Sequence, residues 1–137
     1  MSSHAALLRE AAKFALPNID NDLRLFWLAS VGIRERDGVK IKSQNGASRI
    51  STPQYKYEHS RQKSHAEGRI CRKLGANGTI YVARVAKENF ELKMSRPCNL
   101  CRSALRSYRV KRCFYSINET HFGCFYPAED RDQIFHF

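Results

Sequence analysis

The chain has 137 residues, of which 42% are hydrophobic, enough for one globular domain with a core but not for two. No stretch approaches the run of about 20 apolar residues that a membrane span needs, so we expect no membrane association of that kind. Twenty-four lysines and arginines against 13 aspartates and glutamates give a net charge of +11, which favours a polyanionic partner, nucleic acid first.

Hydrophobic periodicity and turn signals predict helices and strands throughout a single domain at 1–137. The tail from Pro127 is short and has apolar residues at Ile134, Phe135 and Phe137. The predicted elements, in chain order, are a helix from residue 2 or 3 to 16, strands at 25–34 and 39–42, a helix at 65–74, a strand at 79–85, a helix at 97–108, and strands at 112–117 and 121–126.

Strand-helix-strand order implies parallel strands around the third helix, with helices packed on the sheet. The short turn after residue 117 implies that the last two strands form a hairpin. We therefore expect a three-layer α/β/α fold built on a mixed five-stranded sheet.

The cysteines favour metal binding over disulfides. There are five, an odd number, and two form the pair Cys98-x-x-Cys101. The first residues carry charges at Arg9, Glu10 and Lys13, where a secretion signal would be apolar. In a chain with no export signal this cysteine spacing indicates metal or redox chemistry. We expect a cytoplasmic protein.

Two short motifs, His65-x-Glu67 and Cys98-x-x-Cys101, contain the side chains for a metal site. Each lies at the predicted start of a helix, whose positive end favours a thiolate and metal binding. Cysteines three apart share a helix face, so both sulfurs can reach one ion. One nitrogen and two sulfurs suit zinc and leave a fourth position open for water. Glu67, near the metal but not bound to it, can then transfer protons.

His-x-Glu followed by Pro-Cys-x-x-Cys resembles the signature of the cytidine and nucleotide deaminases. The resemblance covers about residues 23–126 and implies a cytidine-deaminase-like fold with catalytic zinc. It implies His65, Cys98 and Cys101 as zinc ligands and Glu67 as the proton carrier in hydrolysis of cytosine to uracil. The sequence CNLCRSAL and the final hairpin look like the cytidine-deaminase branch, and only this resemblance favours cytosine over adenine.

The resemblance also implies contacts between the substrate and residues beside the motifs. Ala66 and Pro97 belong to the motifs themselves. Arg96 precedes Pro97, where many relatives have serine or another small residue near the exocyclic amine, and Ser95 is one step further back. The stretch around Asn45 resembles the segment whose asparagine holds the sugar in nucleoside deaminases.

The motifs do not determine whether the substrate is a polynucleotide or a free nucleotide. Tyr55 and Tyr57 lie among cations in a predicted loop, which suits base stacking beside phosphates, although such tyrosines equally often cover a core. Basic residues dominate 49–73 and 93–112, which favours a cytosine in single-stranded DNA or RNA. The branch resemblance favours free cytidine or its nucleotide as the alternative. An oligomer is compatible with the sequence.

A structural zinc site is the main competing interpretation. Cys98, Cys101, His121 and Cys124 have the spacing of a closed four-ligand set. Such a site would make the protein a non-catalytic zinc module that binds nucleic acid. However, residues three apart in a strand face opposite ways, and this set leaves Glu67 without a role.

Overall fold

A mixed β-sheet forms the centre of the structure, a computed structural model that describes residues 3–15, 26–44, 70–71, 73–86 and 88–137. Within these residues the sheet has seven strands. The helices and strands described over their whole length are α1 (Ser3–Ala15), β1 (Phe26–Ile33), β2 (Lys40–Gln44), β3 (Thr79–Ala86), β4 (Leu92–Lys93), α2 (Asn99–Ser107), β5 (Arg112–Ser116), β6 (His121–Tyr126) and β7 (Arg131–His136).

The strand order across the sheet is β2-β1-β3-β5-β6-β7, and β4 pairs with β3 beside this path. β3 and β5 are parallel, whereas the other paired strands are antiparallel. Two expectations are thereby confirmed: the parallel pairing on either side of α2, and the hairpin formed by β5 and β6.

The prediction of a five-stranded sheet is wrong, because β4 and β7 are additional strands. β7 lies in the tail beyond Pro127 and pairs with β6 from Arg131 to His136. Its two apolar residues Ile134 and Phe135 are adjacent rather than alternating, so the segment lacks the period of two that identifies a strand. β4 has two residues and is too short to produce any pattern.

The hairpin of β1 and β2 turns at the predicted Asp37-Gly38 pair. Gly38 has φ +68, a conformation that glycine adopts without steric penalty. The Asp37 carboxylate accepts a hydrogen bond from the backbone N–H of Val39 at 3.1 Å. The second strand begins at Lys40, one residue later than predicted.

Helix α1 packs one face on the sheet. Leu8, Ala11 and Ala15 are buried at helical spacing, whereas Arg9 and Lys13 are exposed. This confirms the amphipathic first helix. In the described parts of the chain, no helix is both long enough and apolar enough to cross a membrane.

Two apolar cores lie on opposite faces of the sheet. The core on the α1 face includes Leu8 and Phe114, and the core on the other face includes Leu105 of α2 and Tyr115. Phe114 and Tyr115 are neighbours in β5 and point to opposite sides, because side chains alternate along a strand. Helices therefore cover both faces, which gives a three-layer arrangement.

Candidate metal centre

The cysteine pair begins helix α2. Cys98 is the N-cap, with φ −69 and ψ 171, and Asn99 is the first helical residue. Cys98 is exposed, whereas Cys101, at the third helical position, is 1% exposed. In a capping box the side chains at the N-cap and at the third helical position each reach the backbone N–H of the other residue, so these two positions lie together at the start of the helix.

The first turn of α2 favours negative charge. The Cys98 side chain makes no capping hydrogen bond to the helix. The first N–H groups of a helix have no partner within it, and its dipole is positive at this end. Both effects stabilise the thiolate, the form in which cysteine binds zinc. Pro97, predicted in the first turn, instead precedes the N-cap and is buried.

The start of α2 lies at the carboxyl ends of the parallel strands β3 and β5. The backbone N–H of Ser95 donates to the carbonyl of Ser116, the last residue of β5, at 2.8 Å. In open α/β sheets, ligands bind beyond the carboxyl ends of parallel strands. The cysteine pair therefore occupies the edge of the sheet where a ligand site is expected.

The hydroxyl of Ser95 is hydrogen-bonded to two strands of the sheet. It is buried, with the residue 5% exposed, and it donates to the carbonyl of Val82 at 3.0 Å. It also accepts from the backbone N–H of Ser116 at 2.8 Å. These bonds tie the segment before Cys98 to β3 and β5. The predicted contact of Ser95 with substrate would require breaking them.

Arg96 is held by β7 through a bidentate ion pair. Its guanidinium donates to the carboxylate of Asp132 at 2.9 and 2.8 Å, and the hydroxyl of Tyr115 donates to the same carboxylate at 2.6 Å. The hydrogen bonds from Arg96 hold the pKa of Asp132 below its usual value. Burial, and then the bond to Asp132, raises the pKa of Tyr115. The carboxylate is therefore ionised and the phenol protonated, and both contact or neighbour Arg96, which is two residues from Cys98.

Arg102 folds back over the start of α2. Its guanidinium donates to the carbonyl of Pro97 and to the side-chain oxygen of Asn99. Its Cζ lies 5.9 Å from the centre of the Phe125 ring. Arg102 therefore brings a cation to the start of α2, whereas the charge of Arg96 is already balanced by Asp132.

The competing four-ligand zinc site is not formed. Cys124 lies in the core under α1, whereas α2, which carries Cys101, packs on the opposite face through Leu105. Burial raises the pKa of the Cys124 thiol, as expected for a core cysteine. All of Cys98, Cys101, His121 and Cys124 are described, and among the described residues no three histidine, cysteine or acidic side chains group for a metal.

The remaining predicted site residues lie outside the described part of the chain. They are His65, Ala66, Glu67, Asn45, Tyr55 and Tyr57.

The end of the helix predicted at 65–74 is described. Ile70, Cys71 and Leu74 are helical and share a core with Leu105 of α2. Gly75 follows with φ +78, the conformation that commonly ends a helix. The predicted end of this helix is confirmed, and it lies on the same face of the sheet as α2.

Asp132 and Tyr115 were not predicted as neighbours of the cysteine pair. Asp132 is 36 positions from Arg96 in sequence and lies in a strand that the periodicity missed. No protein-family model matches the chain, and no curated protein matches its sequence. Geometry and residue chemistry are therefore the basis for a functional proposal.

Proposed function

We propose that this protein is a zinc-dependent hydrolase that deaminates cytosine to uracil. The observation that carries the proposal is the position of Cys98 and Cys101 at the start of α2, beyond the carboxyl ends of two parallel strands. In this proposal His65 is the third ligand. Two sulfurs at a helix start and one imidazole fit zinc with one position left open.

Glu67 moves the protons in this mechanism. A zinc ion bound at the site would supply an acidified water for attack on C4 of cytosine. The Glu67 carboxylate takes a proton from that water and delivers protons to the ring and to the departing ammonia. The hydrogen bond of buried Ser95 to Val82 and the ion pair of exposed Arg96 with Asp132 hold the segment before Cys98 in place during these steps.

We also propose that the fold is a cytidine-deaminase-like sheet with an added edge. β1, β2, β3, β5 and β6 correspond to the five predicted strands, and their hairpin and parallel pairings support the assignment. β7 then extends this sheet beyond β6 and contributes Asp132 to the surroundings of the site.

The favoured substrate is a cytosine in single-stranded DNA or RNA, with the free nucleotide as the second candidate. The net charge of +11 supports phosphate contacts. The basic segment 93–112 has fewer cations available for phosphate than its sequence suggests, because three of them form ion pairs within the molecule. These pairs are Lys93 with Glu91, Arg96 with Asp132, and Arg106 with Asp130.

One assay tests the reaction and the substrate together. Purified protein is incubated with cytidine, deoxycytidylate, and cytosine-containing single strands of DNA and RNA, and uracil is measured. We expect turnover of the single strands, falling as salt rises. If only the small molecules are turned over, the proposed polynucleotide substrate is wrong and the free nucleotide is the substrate.

The matched variants are Glu67→Ala and Glu91→Ala. Glu67→Ala should retain zinc and lose activity by at least about 100-fold, because the proton carrier is gone. Glu91→Ala removes an exposed carboxylate in the turn between β3 and β4 and should remain active. Full activity in Glu67→Ala would contradict the mechanism.

A further inference from the structure

Two histidines face each other across the last pair of strands. His121 begins β6, His136 ends β7, and they are directly paired in the sheet. Their ring centres are 4.0 Å apart and their planes are tilted by 49°. His136 is exposed and His121 is partly exposed, so both rings can be reached from solvent.

The backbone brings these two side chains as close as antiparallel strands allow. The N–H of Phe137 donates to the carbonyl of Thr120 at 2.9 Å. The next pair along the ladder, His121 with His136, is therefore of the non-hydrogen-bonded type, in which facing side chains are closest.

Hydrogen bonds in the preceding turn determine which nitrogen of His121 is available. The side-chain oxygen of Asn118 accepts from the backbone N–H groups of Thr120 and His121, at 2.9 and 2.8 Å. The Thr120 hydroxyl donates its only proton to the same oxygen at 2.9 Å. The Thr120 Oγ1 lies 2.8 Å from Nδ1 of His121 and can then accept from that nitrogen. In this tautomer neutral His121 carries its lone pair on Nε2.

We propose that His121 and His136 form a second metal site, for a divalent transition metal such as nickel or zinc. A histidine whose other nitrogen is hydrogen-bonded is the usual form of a metal ligand. Nitrogen ligands at about 2.0–2.1 Å from a tetrahedral ion place the ring centres about 5 Å apart. Rotation of one exposed ring supplies the additional separation, and water completes the coordination.

This site is distinct from the one at Cys98 and shares no residue with it. A metal bound by His121 and His136 would join β7 to β6 at one end of their ladder, and the pair Tyr126 and Arg131 is at the other end. The ion would therefore stabilise the strand that carries Asp132. The proposal holds whether or not the protein is a deaminase.

Nickel titration of the full chain tests the site. Ni²⁺ is added to wild type, His136→Gln and His4→Gln, and binding is measured by equilibrium dialysis. Beyond any metal held at Cys98 and Cys101, we expect wild type and His4→Gln to bind one further Ni²⁺, which His136→Gln binds at least tenfold more weakly. In wild type, Ni²⁺ at about 100 times its Kd should raise Tm by about 5–10 °C. Equal binding by wild type and His136→Gln would overturn the proposal.

A second variant tests the role of the turn and remains informative if His136→Gln fails to fold. Thr120→Val removes the acceptor for Nδ1 of His121 and should weaken Ni²⁺ binding about tenfold or more. Thr120→Ser keeps the hydroxyl and should bind as wild type does. Unchanged affinity in Thr120→Val would contradict the assignment of Nε2 as the ligand atom.

Discussion

The ring of Tyr115 lies across Gly123, its partner residue on the neighbouring strand β6. A Cβ at position 123 would come within 2.3 Å of the ring Cζ and 2.5 Å of the hydroxyl oxygen. The missing side chain at Gly123 therefore leaves the space through which the ring crosses β6. Only by this crossing does the Tyr115 hydroxyl reach Asp132 on β7.

Gly123→Ala should destabilise the protein by about 1–3 kcal/mol, the usual range when a packed core receives an extra methyl group. The measurement is urea unfolding followed by circular dichroism. In a Tyr115→Leu background the same substitution should have a smaller effect, because the ring that meets the new methyl group is absent. Equal effects in both backgrounds would rule out this steric conflict.

Asp132→Asn should lower the free energy of unfolding by about 1–2 kcal/mol, since it removes charged hydrogen bonds in a partly exposed network. The pKa of Asp132 is lowered in the folded state, mainly by Arg96. Its contribution is therefore present above the usual aspartate pKa of about 4 and is lost as the pH falls through the lowered value. The stability of the variant should depend less on pH in this acidic range.

Asp130→Asn is the matched control for that substitution. Asp130 pairs with Arg106 at 3.5 Å, and both side chains are well exposed. Its replacement should change stability by less than about 0.5 kcal/mol. A similar loss in both variants would show that the network around Arg96 contributes nothing specific.

Zinc content should separate the two sets of cysteines. After dialysis that removes metal held only by the two histidines His121 and His136, elemental analysis should find about one zinc per wild-type chain at the proposed site. Cys98→Ser should lose it, and because Cys98 is exposed the core is unaffected. Cys124→Ala should keep it, since Cys124 lies on the other face of the sheet. Loss of zinc in both variants would support the four-ligand structural site, which needs Cys98 and Cys124 alike.

His4 should make stability depend on pH near neutrality. Its ring stacks on Phe114, with centres 4.3 Å apart, and its Nδ1 lies 2.7 Å from the hydroxyl of Tyr81. Burial, and then Arg112, lowers the pKa of His4, while the pKa of Tyr81 is raised to about 12. Near neutral pH the phenol is therefore protonated and the imidazole is neutral.

Because the unfolded chain takes up this proton at about pH 6.5 and the folded chain only at lower pH, stability falls as the pH decreases below about 6.5. His4→Phe keeps an aromatic ring and removes the titration. Urea unfolding at several pH values between about 5 and 7 should give a flatter profile for the variant. Identical profiles would show that His4 does not titrate in this range.

Local sequence signals were sufficient for most of the fold. β3 reads as a continuous apolar run because it is buried on both faces, and β6 spans the predicted residues His121–Tyr126. In β7, by contrast, Ile134 is 55% exposed beside the partly buried Phe135, so apolar residues do not mark one face. Along the strand order of the sheet, the sequence therefore predicts the strands as far as β6 but not the last one, β7.

For the candidate site, too, only part could be predicted from local sequence. The position of Cys98 at a helix start follows from local signals, namely the preceding Pro97 and the helical spacing after it. The pairing of Arg96 with Asp132 depends on the register of β7 against β6. A slip of one residue would turn Asp132 to the other face of the sheet. Such a register is set by tertiary packing, and nothing near either residue in sequence reveals it.

The parallel pairing of β3 with β5 determines when the cysteine pair can reach its place during folding. β1 with β2, and β5 with β6 and β7, are hairpins with short turns, and such hairpins form in about 1–10 μs. β3 and β5 are joined by a crossover that contains α2, and pairing across long connections is slower. Cys98 and Cys101 lie within this crossover. During folding, Cys98 and Cys101 therefore reach the edge of the sheet only when β3 pairs with β5. The same event joins the strands before α2 to the strands after it and completes the sheet.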